Sequence, residues 1–159
     1  MNAAQREDVP RSPVRSAHIL LVEDSENDAL LTRKVFQSIH PTASVAWVRN
    51  GQDCLAYLRK RQPFSTATTP DLILLDVNMP GMQGSDVLEA IISDPELSLL
   101  PVVALSTSSD PQDIQRMYRL RCSGYIVKPM DFVEFCGVLR SVGEYWFSTA
   151  APVRPPLAI

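Results

Sequence analysis

The sequence predicts an α/β protein with a doubly wound parallel sheet. Five short, mostly apolar runs alternate with five longer segments of helical periodicity, which is the pattern of consecutive βαβ units. Short apolar runs of this kind are typical of strands buried on both faces. A chain of 159 residues is long enough for one domain with one core, and no repeat or second set of elements is present in the pattern.

The elements follow one another in order. The first run (HILLV) precedes Ser25, and Asp28 three residues later resembles an N-terminal capping box. The predicted strands are residues 18–22, 43–48, 71–75, 101–105 and 124–127. The predicted helices are residues 25–39, a stretch around Leu55 and Leu58 that ends near Arg61, and residues 84–93, 110–120 and 131–146.

Right-handed crossovers between short buried strands permit few topologies, and the flavodoxin-like order 2-1-3-4-5 is the one we predict for this (βα)5 chain. In such sheets ligands bind beyond the carboxyl ends of the strands, at the switch point between strands 1 and 3.

The composition excludes several classes of protein. The net charge of −3 provides no basic field for nucleic acid or an anionic membrane, and no apolar run is long enough to span a bilayer. Residues 1–17 lack the apolar core of a signal peptide. Three cysteines, at positions 54, 122 and 136, fit neither a disulfide framework nor a zinc site. We therefore expect a cytoplasmic protein with reduced, buried thiols.

Polar residues follow four of the five predicted strands. The first strand ends in Glu23 and Asp24, and the third ends in Asp76. The fourth is followed by two hydroxyl residues and the fifth by Lys128. Carboxylates this close repel one another unless a cation lies among them, and oxygen ligands favour Mg²⁺. A carboxylate nucleophile beside a metal and an ammonium predicts phosphoryl transfer onto Asp76.

These segments resemble the receiver domains of two-component response regulators. The segments that carry the resemblance are LLVEDSENDALL, LILLDVNMPGMQG, PVVALSTSS and GYIVKP, and they span residues 17–146 in the order of the family. The resemblance implies that Asp76 is the phosphoacceptor. It also implies that Asp24 and Asp76 bind Mg²⁺ directly with the backbone carbonyl of Asn78, while Glu23, where the family often has Asp, acts through water.

The resemblance assigns further roles near the phosphoryl group. Lys128 and Ser106, with the backbone of Thr107, would stabilise the phosphoryl oxygens. Ser106 and Tyr125 would form the conformational switch, and the peptide bond before Pro129 would be cis. Output would pass through protein contacts or a phosphotransfer protein rather than through nucleic acid.

Three other readings of the same residues remain. A degenerate receiver would bind partners without phosphorylation. An aspartyl-phosphate phosphatase would need a second Asp two residues after Asp76, where Asn78 stands. A flavodoxin-like cofactor binder would need hydroxyl and glycine donors after the first strand, where the segment EDSEND would instead repel phosphate.

Within the family, the loop QPFSTATTP and the ending VGEYWFSTAAP look like the small regulators of bacterial phytochrome kinases, so the expected partner is a sensor histidine kinase of that class. We expect a flexible arm over residues 1–16, a receiver domain over 17–147 and a Pro-rich tail over 148–159. In the last helix, the spacing predicts that the sheet is faced by Phe132, Phe135, Leu139, Val142 and Trp146. Further apolar residues on this helix indicate an interface, and the resemblance to the phytochrome regulators favours a homodimer. It would be built on the last helix, the fourth helix and the edge strand between them, and anchored by Tyr145, Trp146 and Phe147. The alternative is that the tail folds over these residues.

Overall fold

A computed structural model describes residues 17–153, which form a five-stranded parallel sheet in the order β2-β1-β3-β4-β5. The strands are β1 (His18–Val22), β2 (Ser44–Val48), β3 (Leu72–Asp76), β4 (Val102–Ser106) and β5 (Gly124–Val127). The helices are α1 (Glu26–Ile39), α2 (Gly51–Leu58), α3 (Gly84–Ser93), α4 (Pro111–Arg119) and α5 (Phe132–Glu144). The predicted flavodoxin-like topology is confirmed.

Successive strand residues point to opposite faces and fill two separate cores. Ile73 and Leu75 of β3 belong to the core under α2, α3 and α4, whereas Leu72 and Leu74 belong to the core under α1 and α5. Every residue of β3 is buried, which explains the unbroken apolar run. This central strand therefore holds Asp76 rigidly at its carboxyl end.

Side-chain caps fix where four helices begin, and each beginning lies one residue after an Asp, Asn or Ser. The capping residues are Ser25, Asn50, Asp110 and Asp131, whose side chains accept from the backbone N–H of Asp28, Asp53, Gln112 and Glu134. The capping box predicted for α1 is only half formed. Ser25 caps Asp28, but the Ser25 N–H donates to the Glu23 carboxylate rather than to Asp28.

The last helix differs from the expectation in two ways. Phe132, expected to face the sheet, is 65% exposed, because it is the first residue of α5 and lies beyond the core that Phe135 and Leu139 fill. The helix also ends at Glu144 and continues as a π-helical turn over Tyr145–Thr149, so the helical spacing changes before Trp146.

The expectation of a cis peptide bond before Pro129 is wrong. Among residues 17–153 the cis bond is Gln62–Pro63, and the Lys128–Pro129 bond is trans. The two isomers of an X–Pro bond differ by only about 0.5–1 kcal/mol, so the residue pair alone does not decide the isomer.

The predicted arm over residues 1–16 lies outside the described residues, as do residues 154–159 of the predicted tail. The described part of the tail returns to the domain. Residues 151–153 line a cavity of about 170 Å³ together with Trp146 and with Pro101 at the start of β4. Within residues 17–153 no helix has the length and apolarity that crossing a membrane requires.

Candidate functional site

The carboxyl ends of four strands bring the predicted site residues to one edge of the sheet. Glu23 directly follows β1, Asp76 ends β3, Ser106 ends β4 and Lys128 directly follows β5. The register aligns these ends, since Asp76 pairs with Leu105 and Ser106 pairs with Val127. The parallel topology thus assembles residues that are up to 105 positions apart in sequence.

Glu23, Asp24 and Asp76 form an acidic trio whose ligand oxygens lie within 4.8 Å of one another. Glu23 and Asp76 are buried and Asp24 is exposed. Three carboxylates at this separation are a donor set that suits a hard divalent cation, because oxygen ligands satisfy Mg²⁺ and one solvent-facing member leaves room for its waters. The residues present therefore fit the metal that the resemblance implies.

The electrostatics of the trio show the cost of leaving it without a cation. Burial, together with the hydrogen bond that a protonated Glu23 carboxyl donates to the Asp76 carboxylate, raises the pKa of Glu23 to about 8 against the opposing effect of Lys128. Burial also raises the pKa of Asp76, and the charge of Asp24 acts in the same direction. The site thus disfavours three negative charges at once, which is the condition that a bound cation relieves.

Lys128 provides the positive charge that opposes this trio. Its Nζ lies 2.7 Å from Glu23 Oε2, 3.2 Å from Asp28 Oδ2 and 3.5 Å from Asp76 Oδ2. Burial alone would lower the pKa of Lys128, but the hydrogen bond to Glu23 and the surrounding carboxylate charges raise it above its ordinary value. The ammonium is therefore held charged beside Asp76.

Asn78 links the Asp76 loop to the end of β4. Its backbone N–H donates to Asp76 Oδ1 at 3.0 Å, and its side-chain Nδ2 donates to Ser106 Oγ at 2.8 Å. Ser106 is buried, and the same Oγ accepts from the backbone N–H of Ser108 at 3.1 Å. The hydroxyl predicted to act as a switch is thus held in place by two donors, one of them on the loop that follows Asp76.

Tyr125 and Thr107 lie at the outer side of this site. The Tyr125 hydroxyl donates to the backbone carbonyl of Ser108 at 2.9 Å, which joins β5 to the loop between β4 and α4. Thr107 is exposed directly after Ser106. The loop that holds the hydroxyl therefore has contacts both with the acceptor segment, through Asn78, and with the aromatic residue of β5.

Two further residues, Gly84 and Trp47, position the loop after Asp76 and the backbone at Glu23. Gly84, the first residue of α3, lies against the backbone of Asp76 and Val77. A Cβ at this position would lie 2.6 Å from Val77 Cα and 3.2 Å from the Asp76 carbonyl oxygen. Trp47 of β2 donates its indole N–H to the Glu23 backbone carbonyl at 2.8 Å. The absence of a side chain at Gly84 therefore lets the start of α3 pack closely against the backbone after Asp76. The hydrogen bond from Trp47 holds the backbone at Glu23 in place.

The sequence reasoning missed three of these contacts. The sequence predicts Asp28 only as part of the capping box, because its partner Lys128 lies 100 positions away and meets it only in the folded sheet. The Asn78 side chain and Trp47 were not identified, since neither spacing nor residue type distinguishes them from an ordinary loop amide and an ordinary strand aromatic.

Comparisons with known proteins agree with this geometry. The family described as "Response regulator receiver domain" matches residues 19–140. "Probable methanogenesis regulatory protein FilR2" of Methanothrix harundinacea is 34% identical over 128 residues, which cover 80% of this chain and 82% of that protein. "Response regulator Rcp1" of Synechocystis sp. is 31% identical over 131 residues, covering 82% of this chain and 89% of that protein.

Solved structures give the same result. The crystal structure of the phosphorylated cyanobacterial phytochrome response regulator RcpA has a TM-score of 0.83 and 38% identity, and covers 87% of this chain and 99% of that chain. The crystal structure of the Mn²⁺-bound form of response regulator Rcp1 also has a TM-score of 0.83, with 30% identity and the same coverage of both chains.

Proposed function

The chain belongs to the response regulator receiver domain family, and from this premise we propose that it accepts a phosphoryl group from a sensor histidine kinase on Asp76. The observation that carries the proposal is the position of Asp76, which is buried in the acidic trio with the Lys128 ammonium 3.5 Å from its Oδ2. A carboxylate at a metal site, with an ammonium held beside it, is the arrangement that phosphoryl transfer onto Asp requires.

In the proposed reaction an Asp76 carboxylate oxygen attacks phosphorus. An O–P bond forms while the P–N bond of the donor phosphohistidine breaks, and the bonding electron pair stays on the imidazole nitrogen. Lys128 orients and neutralises the phosphoryl oxygens. Asn78 keeps the acceptor carboxylate in place by donating its N–H to Oδ1.

Mg²⁺ is the proposed cofactor. Asp24, Asp76 and the backbone carbonyl of Asn78 would bind it directly, with Glu23 acting through water. When bound, the metal would offset the negative charge of the trio and of the phosphoryl group. The acidic trio of this chain supports the assignment, and so does the Mn²⁺ bound by Rcp1.

We propose that phosphorylation acts through Ser106 and Tyr125. A hydrogen bond from Ser106 to a phosphoryl oxygen would draw the loop after β4 toward Asp76, and the Tyr125 hydroxyl, which contacts that loop at the Ser108 carbonyl, would change its partner. Phosphorylation would then shift the domain between two conformations, and a protein partner would bind one of them in preference to the other.

A bacteriophytochrome is the kinase class we propose, because the similar protein RcpA is a cyanobacterial phytochrome response regulator. A second proposal, supported by the 54% exposed Tyr145 at the end of α5, is a homodimer built on this helix, which would suit a dimeric kinase.

The deciding experiment measures intact mass after incubation with Mg²⁺ and phosphoramidate. We expect one added phosphoryl group on the wild type and on Asp86→Asn, an exposed control in the first turn of α3, and none on Asp76→Asn or in excess chelator. Labelling of Asp76→Asn at the wild-type level would refute the acceptor assignment. A wild type that takes no label would instead support the degenerate receiver, which binds partners without phosphorylation.

A further inference from the structure

Among residues 17–153, Lys128 has one carboxylate partner outside the acidic trio, and that partner is Asp28. Its Oδ2 lies 3.2 Å from the Lys128 Nζ, closer than the 3.5 Å of Asp76. The Asp28 side chain is 38% exposed, whereas the side chains of Glu23 and Lys128 are 2% and 8% exposed. Asp28 is therefore the one solvated carboxylate among the three that surround the ammonium.

The first turn of α1 holds Asp28 in this position. Its backbone N–H donates to Ser25 Oγ, and its backbone carbonyl accepts from the Thr32 hydroxyl at 2.8 Å. The carboxylate itself has no capping role, because the Ser25 N–H donates to Glu23 instead. The Asp28 carboxylate accepts a hydrogen bond from the Lys128 Nζ, so the helix presents a fixed negative charge to the ammonium.

The three partners of Lys128 are not equivalent. An ammonium has three N–H donors, and here three carboxylates surround it. Glu23 and Asp76 belong to the trio that fits a divalent cation, and a positive charge there would weaken their attraction for the ammonium and repel it directly. Asp28 is outside the trio, so its attraction is retained under the same condition.

We propose that Asp28 is a positioning residue that keeps Lys128 beside Asp76 when the acidic trio is neutralised. This inference rests on the proposed function, because the position it assigns to Lys128 matters only if a phosphoryl group arrives at Asp76. Asp28 does not touch the reacting atoms. It acts through Lys128 by offering a charge-assisted hydrogen bond that the metal does not compete for.

Glu26 provides a matched control. It is acidic, exposed and located in the same first turn of α1, so Glu26→Gln removes the same charge near the helix N-terminus as Asp28→Asn does. Neither substitution changes side-chain size appreciably. The two variants therefore differ in whether the removed charge contacts Lys128.

The first measurement needs no phosphorylation. In Mg²⁺-free full-length protein, the ¹⁵Nζ resonance of Lys128 should shift in Asp28→Asn and stay in place in Glu26→Gln. Asp28→Asn should also lower the urea midpoint more in the wild-type background than in a Lys128→Met background, where the pair is already broken and only the charge near the helix N-terminus is lost. An unchanged resonance, or an equal midpoint loss in both backgrounds, would overturn the inference.

The second measurement is the labelling rate with phosphoramidate at saturating Mg²⁺. Loss of one partly exposed charge-assisted contact should slow Asp28→Asn about fivefold, with Glu26→Gln within about twofold of wild type and Asp28→Glu restored toward it. If Asp28→Asn and Glu26→Gln slow labelling equally, the effect comes from a general loss of charge and the inference is rejected. A wild type that takes no label would reject the proposed function instead, and the resonance and the unfolding cycle would still decide the Asp28 contact.

Discussion

The side-chain amide of Asn78 donates to the hydroxyl of Ser106 over 2.8 Å, so the loop that follows Asp76 is hydrogen-bonded to the end of β4. A phosphoryl group on Asp76 would offer Ser106 a stronger, charged acceptor. The amide of Asn78 and the backbone N–H of Ser108 both donate to the same oxygen, and the proposed switch would begin from that arrangement.

Ser106→Ala should accept a phosphoryl group but lose the phosphorylation-dependent change at Tyr125. The substitution leaves two donors without their acceptor, which should also lower the free energy of unfolding by about 1–2 kcal/mol. The ring resonances of Tyr125, recorded before and after phosphoramidate, provide the measurement. Ser106→Thr keeps the hydroxyl and should retain the change. Identical Tyr125 shifts in the alanine variant and the wild type would remove Ser106 from the switch.

Asp24→Ala should weaken Mg²⁺ binding by at least about tenfold while stabilising the Mg²⁺-free fold. Asp24 is an exposed member of the trio, and its charge raises the pKa of Asp76. Removing it therefore deletes a ligand and relieves repulsion at the same time. Calorimetric titration gives the affinity and urea unfolding gives the stability. Glu96→Ala removes an exposed carboxylate that precedes the amino end of β4, and it should leave Mg²⁺ affinity unchanged. A normal affinity in Asp24→Ala would show that the ligand assignment is wrong.

Gly84→Ala should destabilise the protein and impair labelling of Asp76. A Cβ at this position would lie 2.6 Å from Val77 Cα, so the acceptor loop or α3 has to shift, at a cost of about 2 kcal/mol. Gly137 of α5 is the internal control, because nothing lies within 4 Å of the Cβ that alanine would add. Gly137→Ala should therefore gain about 0.5–1 kcal/mol. Equal unfolding free energies for the two variants would contradict the close approach.

Tyr145→Ala should dissociate the proposed homodimer without unfolding the domain, because Tyr145 is exposed. Phe147→Ala should instead lower monomer stability by about 2 kcal/mol, since its ring packs edge-on against Phe36 at 5.3 Å. Sedimentation at tens of micromolar and urea unfolding separate the two effects.

A chain truncated after Glu144 combines both losses and should be monomeric. If the full-length protein is also a monomer at tens of micromolar, with and without phosphorylation, the dimer is refuted. The alternative that the tail covers these residues is consistent with residues 151–153 lying beside Trp146.

The sequence was sufficient to predict the sheet because the inner strands β1, β3 and β4 are buried on both faces and therefore read as apolar runs. The edge strands β2 and β5 are only partly buried, but they are apolar enough to be recognised. It was sufficient to predict which residues meet at the site, because parallel strands place their carboxyl ends together. It did not show that the Asp28 carboxylate pairs with Lys128, since the capping pattern alone already accounts for an acidic residue three positions after Ser25. It also misplaced Phe132, because helical spacing identifies a face but does not show where the core beneath that face ends.

The hydrogen bond from Trp47 to the Glu23 carbonyl gives this protein a built-in optical reporter. The chain has two tryptophans: one contacts the segment that carries the acidic pair, and the other lines a cavity beside the start of β4, at the opposite edge of the sheet. In a Trp146→Phe protein, all tryptophan fluorescence would therefore come from Trp47, beside the acidic trio. Its fluorescence during stopped-flow mixing would follow metal loading and phosphoryl arrival in real time, with no attached dye to disturb the surface that a kinase has to reach.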